Sequence, residues 1–155
     1  MELGRFMKKI EQQRKEQDAI YHRAAVNYGL SDTAMWILYE VSGAEDGCTQ
    51  QELCRDCFFP KQTVNTAVKH LLKNGLLAFR TVPEGGNKKK MDLTDKGRAL
   101  ARVTTDRLRR AEFRAYRALT EQELGSYLEI MTKLTVFLQK EIEAEQEGRH
   151  GEEHV

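Results

Sequence analysis

Pro60 constrains this chain more than any other residue. A proline cannot sit inside a helix, but it suits the first turn. Upstream, Thr49 and Glu52 stand in the T-x-x-E spacing of a capping box, so a helix begins there and must be short. Downstream, Val64, Val68, Leu71 and Leu72 form one apolar stripe of a second helix. Gly75 follows where a left-handed terminating residue belongs. The run LLAFRTV then reads as a strand, Pro83 to Gly86 as a turn, and KKMDLT as the return strand. The order is helix, tight break, helix, two-stranded hairpin.

The flanks read as helices. Residues 5–28 carry Phe6, Ile10, Ile20, Tyr21, Ala24 and Tyr28 around a polar middle, so the two ends are expected to pack on something. Gly29 ends that helix, and Ser31 is placed to cap the next, where Met35, Trp36, Leu38, Tyr39 and Ser42 fall at helical spacing. Gly43 to Gly47 read as a loop. Thr94 begins a long helix running to about Ala118, marked by Leu100, Val103, Leu108, Ala111 and Ala115. Thr120 and Glu123 repeat the capping-box spacing, and Leu124, Tyr127, Met131, Leu134 and Leu138 then step like a heptad seam. Beyond Ala144 the sequence is polar, and fraying is expected.

The net charge of +1 hides an asymmetry. Residues 50–110 hold fourteen Lys/Arg against six Asp/Glu, whereas residues 119–155 hold three against nine. A near-neutral chain with a basic middle and an acidic end has a polyanion-facing side; the plainer reading is a salt-bridged surface. The positions of the bases favour the first reading. Groove reading needs short or forked polar groups near the N-terminal end of a helix. Lys61, Gln62, Thr63, Asn65, Thr66 and Lys69 supply them. Gln and Asn can bond adenine at two points, Lys can reach guanine acceptors, and a Thr methyl can touch thymine. On the hairpin, Arg80, Asn87, Lys88, Lys89 and Lys90 are placed to follow phosphates. Because strand residues alternate between faces, only two of the three lysines can face one phosphate track. A solvated helix face and a solubilising hairpin tip are the alternatives.

Together these segments resemble the MarR family of bacterial transcriptional regulators. The resemblance rests on Gly29-Leu30-Ser31, Thr49-Gln50-Gln51-Glu52-Leu53, Pro60-Lys61-Gln62-Thr63-Val64-Asn65, Leu71 to Leu77, and Leu93-Thr94-Asp95-Lys96-Gly97, the last similar to the family's L-T-x-x-G after the wing. It implies a mainly α fold with a small β-hairpin wing: a winged helix-turn-helix over residues 30–95, dimerisation helices over 5–28 and 96–144, and a polar tail over 145–155. It further implies a homodimer on a palindromic DNA operator, read by helix 60–74 and wing 83–91 and released by a small molecule or oxidant. The family commonly carries Asp-x-Arg at the wing tip, where this chain has Gly-Asn-Lys-Lys-Lys. A Lys fits a narrow minor groove less well than an Arg.

Dimerisation also follows from the residues. Phe6, Ile10, Leu124, Tyr127, Met131, Leu134 and Leu138 are apolar stripes that one small core cannot easily cover; packing within one subunit is the alternative. Cys54-x-x-Cys57 invites a redox or zinc reading. Zinc lacks a second ligand pair, so no metal and no cofactor are expected. The two thiols read as small packing residues, with an oxidation switch as the second reading. Tyr21, Tyr28, Trp36 and Tyr39 suit either a plain core or an effector pocket.

A winged-helix module that binds protein instead of DNA is the rival function. A thiol oxidoreductase is weaker still, since no Gly-rich phosphate loop or Ser/His/Asp order accompanies the cysteines. No apolar run approaches the roughly 18 residues that cross a bilayer, and the N-terminal segment has no apolar h-region. A cytoplasmic protein with no membrane partner is expected.

Overall fold

The computed structural model describes residues 2–82 and 88–152. Its elements run α1 (Leu3–Asn27), α2 (Asp32–Gly43), α3 (Gln50–Cys57), α4 (Lys61–Lys73), β1 (Leu77–Val82), β2 (Lys88–Leu93), α5 (Asp95–Val103), α6 (Thr105–Tyr116) and α7 (Glu121–Glu152). The fold is mainly helical with one small antiparallel hairpin, as expected. The chain divides into two compact units, Met1–Arg110 and Ala111–Val155.

In the first unit the local signals meet their partners. Ser31 Oγ accepts from Ala34 N at 3.2 Å and opens α2. Thr49 and Glu52 close a full capping box: Glu52 N donates to Thr49 Oγ1 at 3.1 Å, and Thr49 N donates to Glu52 Oε2 at 2.7 Å. Those bonds hold the Glu52 carboxyl below its ordinary range, the Thr49 backbone donor leading. Pro60 stands just before the first turn of α4, where its carbonyl accepts from Val64 N at 3.1 Å. Gly29 and Gly75 both take positive φ, 69° and 68°, at helix ends.

These elements enclose one main core. Ile37, Leu38 and Val41 of α2, Leu53 of α3, Val64, Val68 and Leu71 of α4, and Leu77 and Met91 of the hairpin are buried together. Full burial of each such side chain contributes about 1.5–3 kcal/mol. The packing fixes α4 against α2 and α3 by its apolar stripe alone, leaving its other face to solvent. A second, smaller cluster joins Ala25, Met35 and Leu108, with Tyr21, Tyr28, Trp36 and Tyr39 packed on it. Trp36 stands 5.0 Å from Tyr21 and 5.4 Å from Tyr39, ring to ring, so these half-buried aromatics pack on one another at the edge of the cluster.

The hairpin pairs Leu77 with Leu93 through to Val82 with Lys88. Beyond β2, Cys48 adds a single bridge to Met91: the Cys48 N–H donates to the Met91 carbonyl at 3.1 Å, and the Met91 N–H donates to the Cys48 carbonyl at 2.8 Å. The expected turn at Pro83–Gly86, and Asn87, lie outside the described residues.

Two expectations are corrected. The long helix after Thr94 is two helices. Thr104 takes φ −121° and ψ −93°, outside the helical region, and ends α5. Its hydroxyl donates to the Leu100 carbonyl at 2.8 Å, and with Thr105 it is buried, so this polar pair turns the chain where a continuous helix was expected. Val103, expected on the apolar face, is 54% exposed. In the second unit, α7 begins at the expected box, Glu123 N donating to Thr120 Oγ1 at 3.2 Å and Thr120 N to Glu123 Oε2 at 2.8 Å. The helix then runs to Glu152 instead of fraying after Ala144. Glu143, Ala144, Glu145 and Gln146 are good helix formers, and polarity alone does not stop a helix.

Candidate nucleic-acid interface

The apolar stripe of α4 leaves Lys61, Gln62, Thr63, Thr66 and Lys69 exposed and Asn65 half-exposed. Among the described residues, the side chains of Lys61, Gln62, Thr63, Asn65 and Lys69 have no hydrogen bond or ion pair, so their polar atoms are available to a ligand. Thr66 differs. Its hydroxyl donates to the Gln62 carbonyl at 3.0 Å, which leaves its oxygen as an acceptor. Lys61, Gln62 and Asn65 of α4 face Gln50, Gln51 and Cys54 of α3 across a cleft. Its mouth is rich in amide donors and acceptors, the groups that read base edges.

Before that helix, Phe58 takes φ +53°, a conformation L side chains other than Asn rarely adopt, and its ring is 91% exposed. No sequence signal pointed to it.

The hairpin splits its bases between two faces. Lys89 is exposed, with its ammonium 5.9 Å from the centre of the Phe79 ring. Lys88 continues the strand. Arg80 and Lys90 face each other across the ladder on the opposite face and are engaged. Arg80 Nε donates to Asp92 Oδ2 at 2.7 Å, and its Nη2 donates to Asp46 Oδ1 at 2.7 Å and to the Asp46 carbonyl at 3.2 Å. Lys90 Nζ donates to Asp46 Oδ2 at 2.5 Å. Lys90 and then Arg80 hold the Asp46 carboxyl below its usual range, and the Arg80 guanidinium is pushed up by Asp92 and Asp46. Neither acid was singled out from the sequence. Asp92 could have been, because it lies two residues from Lys90 on the same strand face. Asp46 reaches the wing from a distant loop and leaves no local signal.

Burial raises the Cys48 thiol to about 12, with Glu52 and Glu40 adding to it, and raises Cys57 to about 11. Cys54 and Cys57 are partly buried and pack on the main core, and all three cysteines are free thiols. Among the described residues no group of His, Cys, Asp and Glu is arranged to hold a metal ion. No described helix is long and apolar enough to cross a membrane.

Of the residues expected at a dimer seam, Phe6, Ile10, Tyr127, Met131, Leu134 and Leu138 are between 39% and 50% exposed within one chain. Leu124 is half-buried.

Comparison with known proteins bears on the fold. A family model described as the MarR family matches residues 28–86. No curated protein matches the chain in sequence. A MarR family regulator from Neisseria meningitidis superposes with a TM-score of 0.73 at 18% identity, covering 88% of this chain and 95% of its own. The Staphylococcus aureus MepR–DNA complex gives 0.66 at 18% identity, covering 86% and 94%. S. aureus MarR in complex with salicylate and kanamycin gives 0.64 at 15% identity, covering 88% and 92%. These likenesses establish the fold, and over residues 28–86 the sequence is similar to the MarR family.

Proposed function

We propose that this chain is a dimeric, sequence-specific DNA-binding regulator that acts as a repressor. Helix α4 reads a palindromic operator, the wing follows the phosphates, and a small molecule or oxidant releases the complex. The observation that carries this reading is the unpaired set of exposed Lys61, Gln62 and Thr63 and half-exposed Asn65 at the N-terminal end of α4, beside a basic hairpin. An apolar exposed face there would have favoured a protein partner. The fold likeness to MepR, whose structure holds DNA, supports the same reading.

The dimer is supported by the apolar residues that one chain leaves open. Leu128, Ile130 and Phe137 of α7, each more than 60% exposed, widen the stripe formed by Leu124, Tyr127, Met131, Leu134 and Leu138. Two copies would set their α4 helices about 34 Å apart, one turn of DNA. Of the two releasing signals, the small molecule is better supported. Salicylate and kanamycin are bound in the S. aureus MarR structure, whereas burial disfavours the Cys57 thiolate that oxidation needs.

The test is binding of the purified chain to DNA from its own upstream region, beside random DNA, across a salt series. Selective, salt-steep binding at two chains per site is expected. Gln62→Ala or Asn65→Ala should then lower affinity for the selected site by about 1–3 kcal/mol and leave random DNA nearly unchanged. Lys61→Ala with Lys89→Ala should weaken both and flatten the salt slope by about 0.9 for each lost phosphate contact. Absence of any preference at every salt concentration would overturn the reading in favour of a protein-binding winged helix.

A further inference from the structure

Arg80 and Lys90 are direct cross-strand neighbours, and two like charges so placed repel. The hairpin forms nonetheless because Asp46 stands between them, giving one carboxylate oxygen to each cation. Asp92 accepts from Arg80 Nε. Lys90 is only 21% exposed as a result.

The backbone around Asp46 is built to hold this contact. Gly47 takes φ +62°, and a Cβ there would overlap Asp92 Oδ1 and lie 2.6 Å from the Met91 carbonyl oxygen. The next residue, Cys48, is bridged to Met91 through both backbone bonds. The loop before α3 is therefore pressed onto β2, and Asp46 has little freedom to leave.

We propose that Asp46 is a positioning residue that ties the wing base to the loop before α3 and withholds Arg80 and Lys90 from DNA phosphate. The wing's phosphate contacts then fall to the other strand face, where Lys89 stands. The lock limits sequence-independent affinity, so that discrimination rests on α4. This inference rests on the DNA-binding reading.

The test uses the full chain and a random-sequence duplex. Wild type must first bind that duplex at low salt; if it does not, the DNA-binding reading itself fails. Given binding, Asp46→Asn should free Lys90 and leave Arg80 held by Asp92 alone, steepening the slope of log affinity against log salt by about 0.9, and by up to about 1.8 where Arg80 also reaches a phosphate. Between 50 and 200 mM salt the upper figure amounts to roughly a tenfold greater loss of affinity, starting from tighter binding at the low end. Asp46→Glu, which keeps the charge, should stay near wild type. Asp46→Asn combined with Arg80→Gln and Lys90→Gln should lose the added slope. A merely structural role for Asp46 would instead lower both melting temperature and affinity.

A measurement on the wild type does not depend on how the variants fold. Lysine acetylation read by mass spectrometry, with and without DNA, should show Lys89 and Lys61 protected and Lys90 slow in both states. An unchanged slope for Asp46→Asn, persistence of the steep slope in the triple variant, or DNA protection of a reactive Lys90 would each overturn the proposal.

Discussion

Replacing Gly97 with alanine should disrupt the joint between the wing and α5. Gly97 lies buried in the first turn of α5, against the carbonyl of Leu76 at the base of the hairpin. A Cβ on Gly97 would overlap the Leu76 oxygen and stand 3.0 Å from its carbonyl carbon and 3.3 Å from Leu93 Cδ2. The obstacle is backbone, so a rotamer change cannot relieve it. Helix and strand must separate, and three bonds hold them where they are. Thr94 N donates to the Leu76 carbonyl at 3.1 Å, Thr94 Oγ1 donates to the Gly75 carbonyl at 2.6 Å, and Gly97 N donates to Thr94 Oγ1 at 3.0 Å. Overpacking costs about 1–3 kcal/mol, and each weakened bond adds up to about 1 kcal/mol. A loss of about 3 kcal/mol is expected.

For a chain of this size that loss lowers the melting temperature by roughly 6–12 °C, measured by circular dichroism at one fixed protein concentration. Gly125→Ala is the matched control. It lies in α7 with nothing within 4 Å of its Cβ position, and there alanine should add about 0.5–1 kcal/mol through the helix backbone. The same substitution therefore has opposite signs at the two sites. A Gly97→Ala protein melting within about 2 °C of wild type, on the scale that relates stability to melting temperature, would refute the reasoning.

Phe58→Asn should raise stability by about 0.5–1 kcal/mol in denaturant unfolding, because Asn tolerates the left-handed conformation and the exposed ring gives up little packing. A fall in stability would show that the ring is held by contacts within the fold. In the native protein at pH 8, iodoacetamide should label Cys48 and Cys57 far more slowly than free cysteine, since burial holds them near 12 and about 11. The sign for stability follows from the same shifts. The folded state favours the neutral thiol, so its contribution is intact below the ordinary thiol pKa and is lost as pH rises from about 9 toward 11. Rapid labelling of Cys57 at pH 8 would contradict this.

What the sequence made legible is what acts over three or four residues. The caps at Ser31, Thr49, Thr94 and Thr120 all form, because a hydroxyl and an amide three positions on meet as soon as the helix does. Gly75 is legible for the same reason, as the left-handed residue that lets the strand leave α4. The break at Thr104 falls on two buried threonines, Thr104 and Thr105, and no helical periodicity reports it. The identity of α4 as a helix with one polar face was open to a sequence reading. The pairing state of each base was not: it depends on a carboxylate 34 residues from Arg80 and 44 from Lys90.

The loop from Gly43 to Cys48 is where these long-range effects meet. Read as sequence, it is a spacer between two helices. In the structure it is held from two sides. At its start, Arg109 of α6 lies over the Tyr39 ring at 4.1 Å, donates to the Tyr39 carbonyl at 2.5 Å, and reaches Ser42 Oγ at 3.3 Å. A Cβ on Gly43 would come within 2.7 Å of that guanidinium, so the glycine makes room for it. At its end, Asp46, Gly47 and Cys48 close onto β2. A few residues of loop thus separate the anchor of α6 from the carboxylate that pairs the wing's bases. Both contacts are polar and stand apart from the apolar core of α2, α3 and α4.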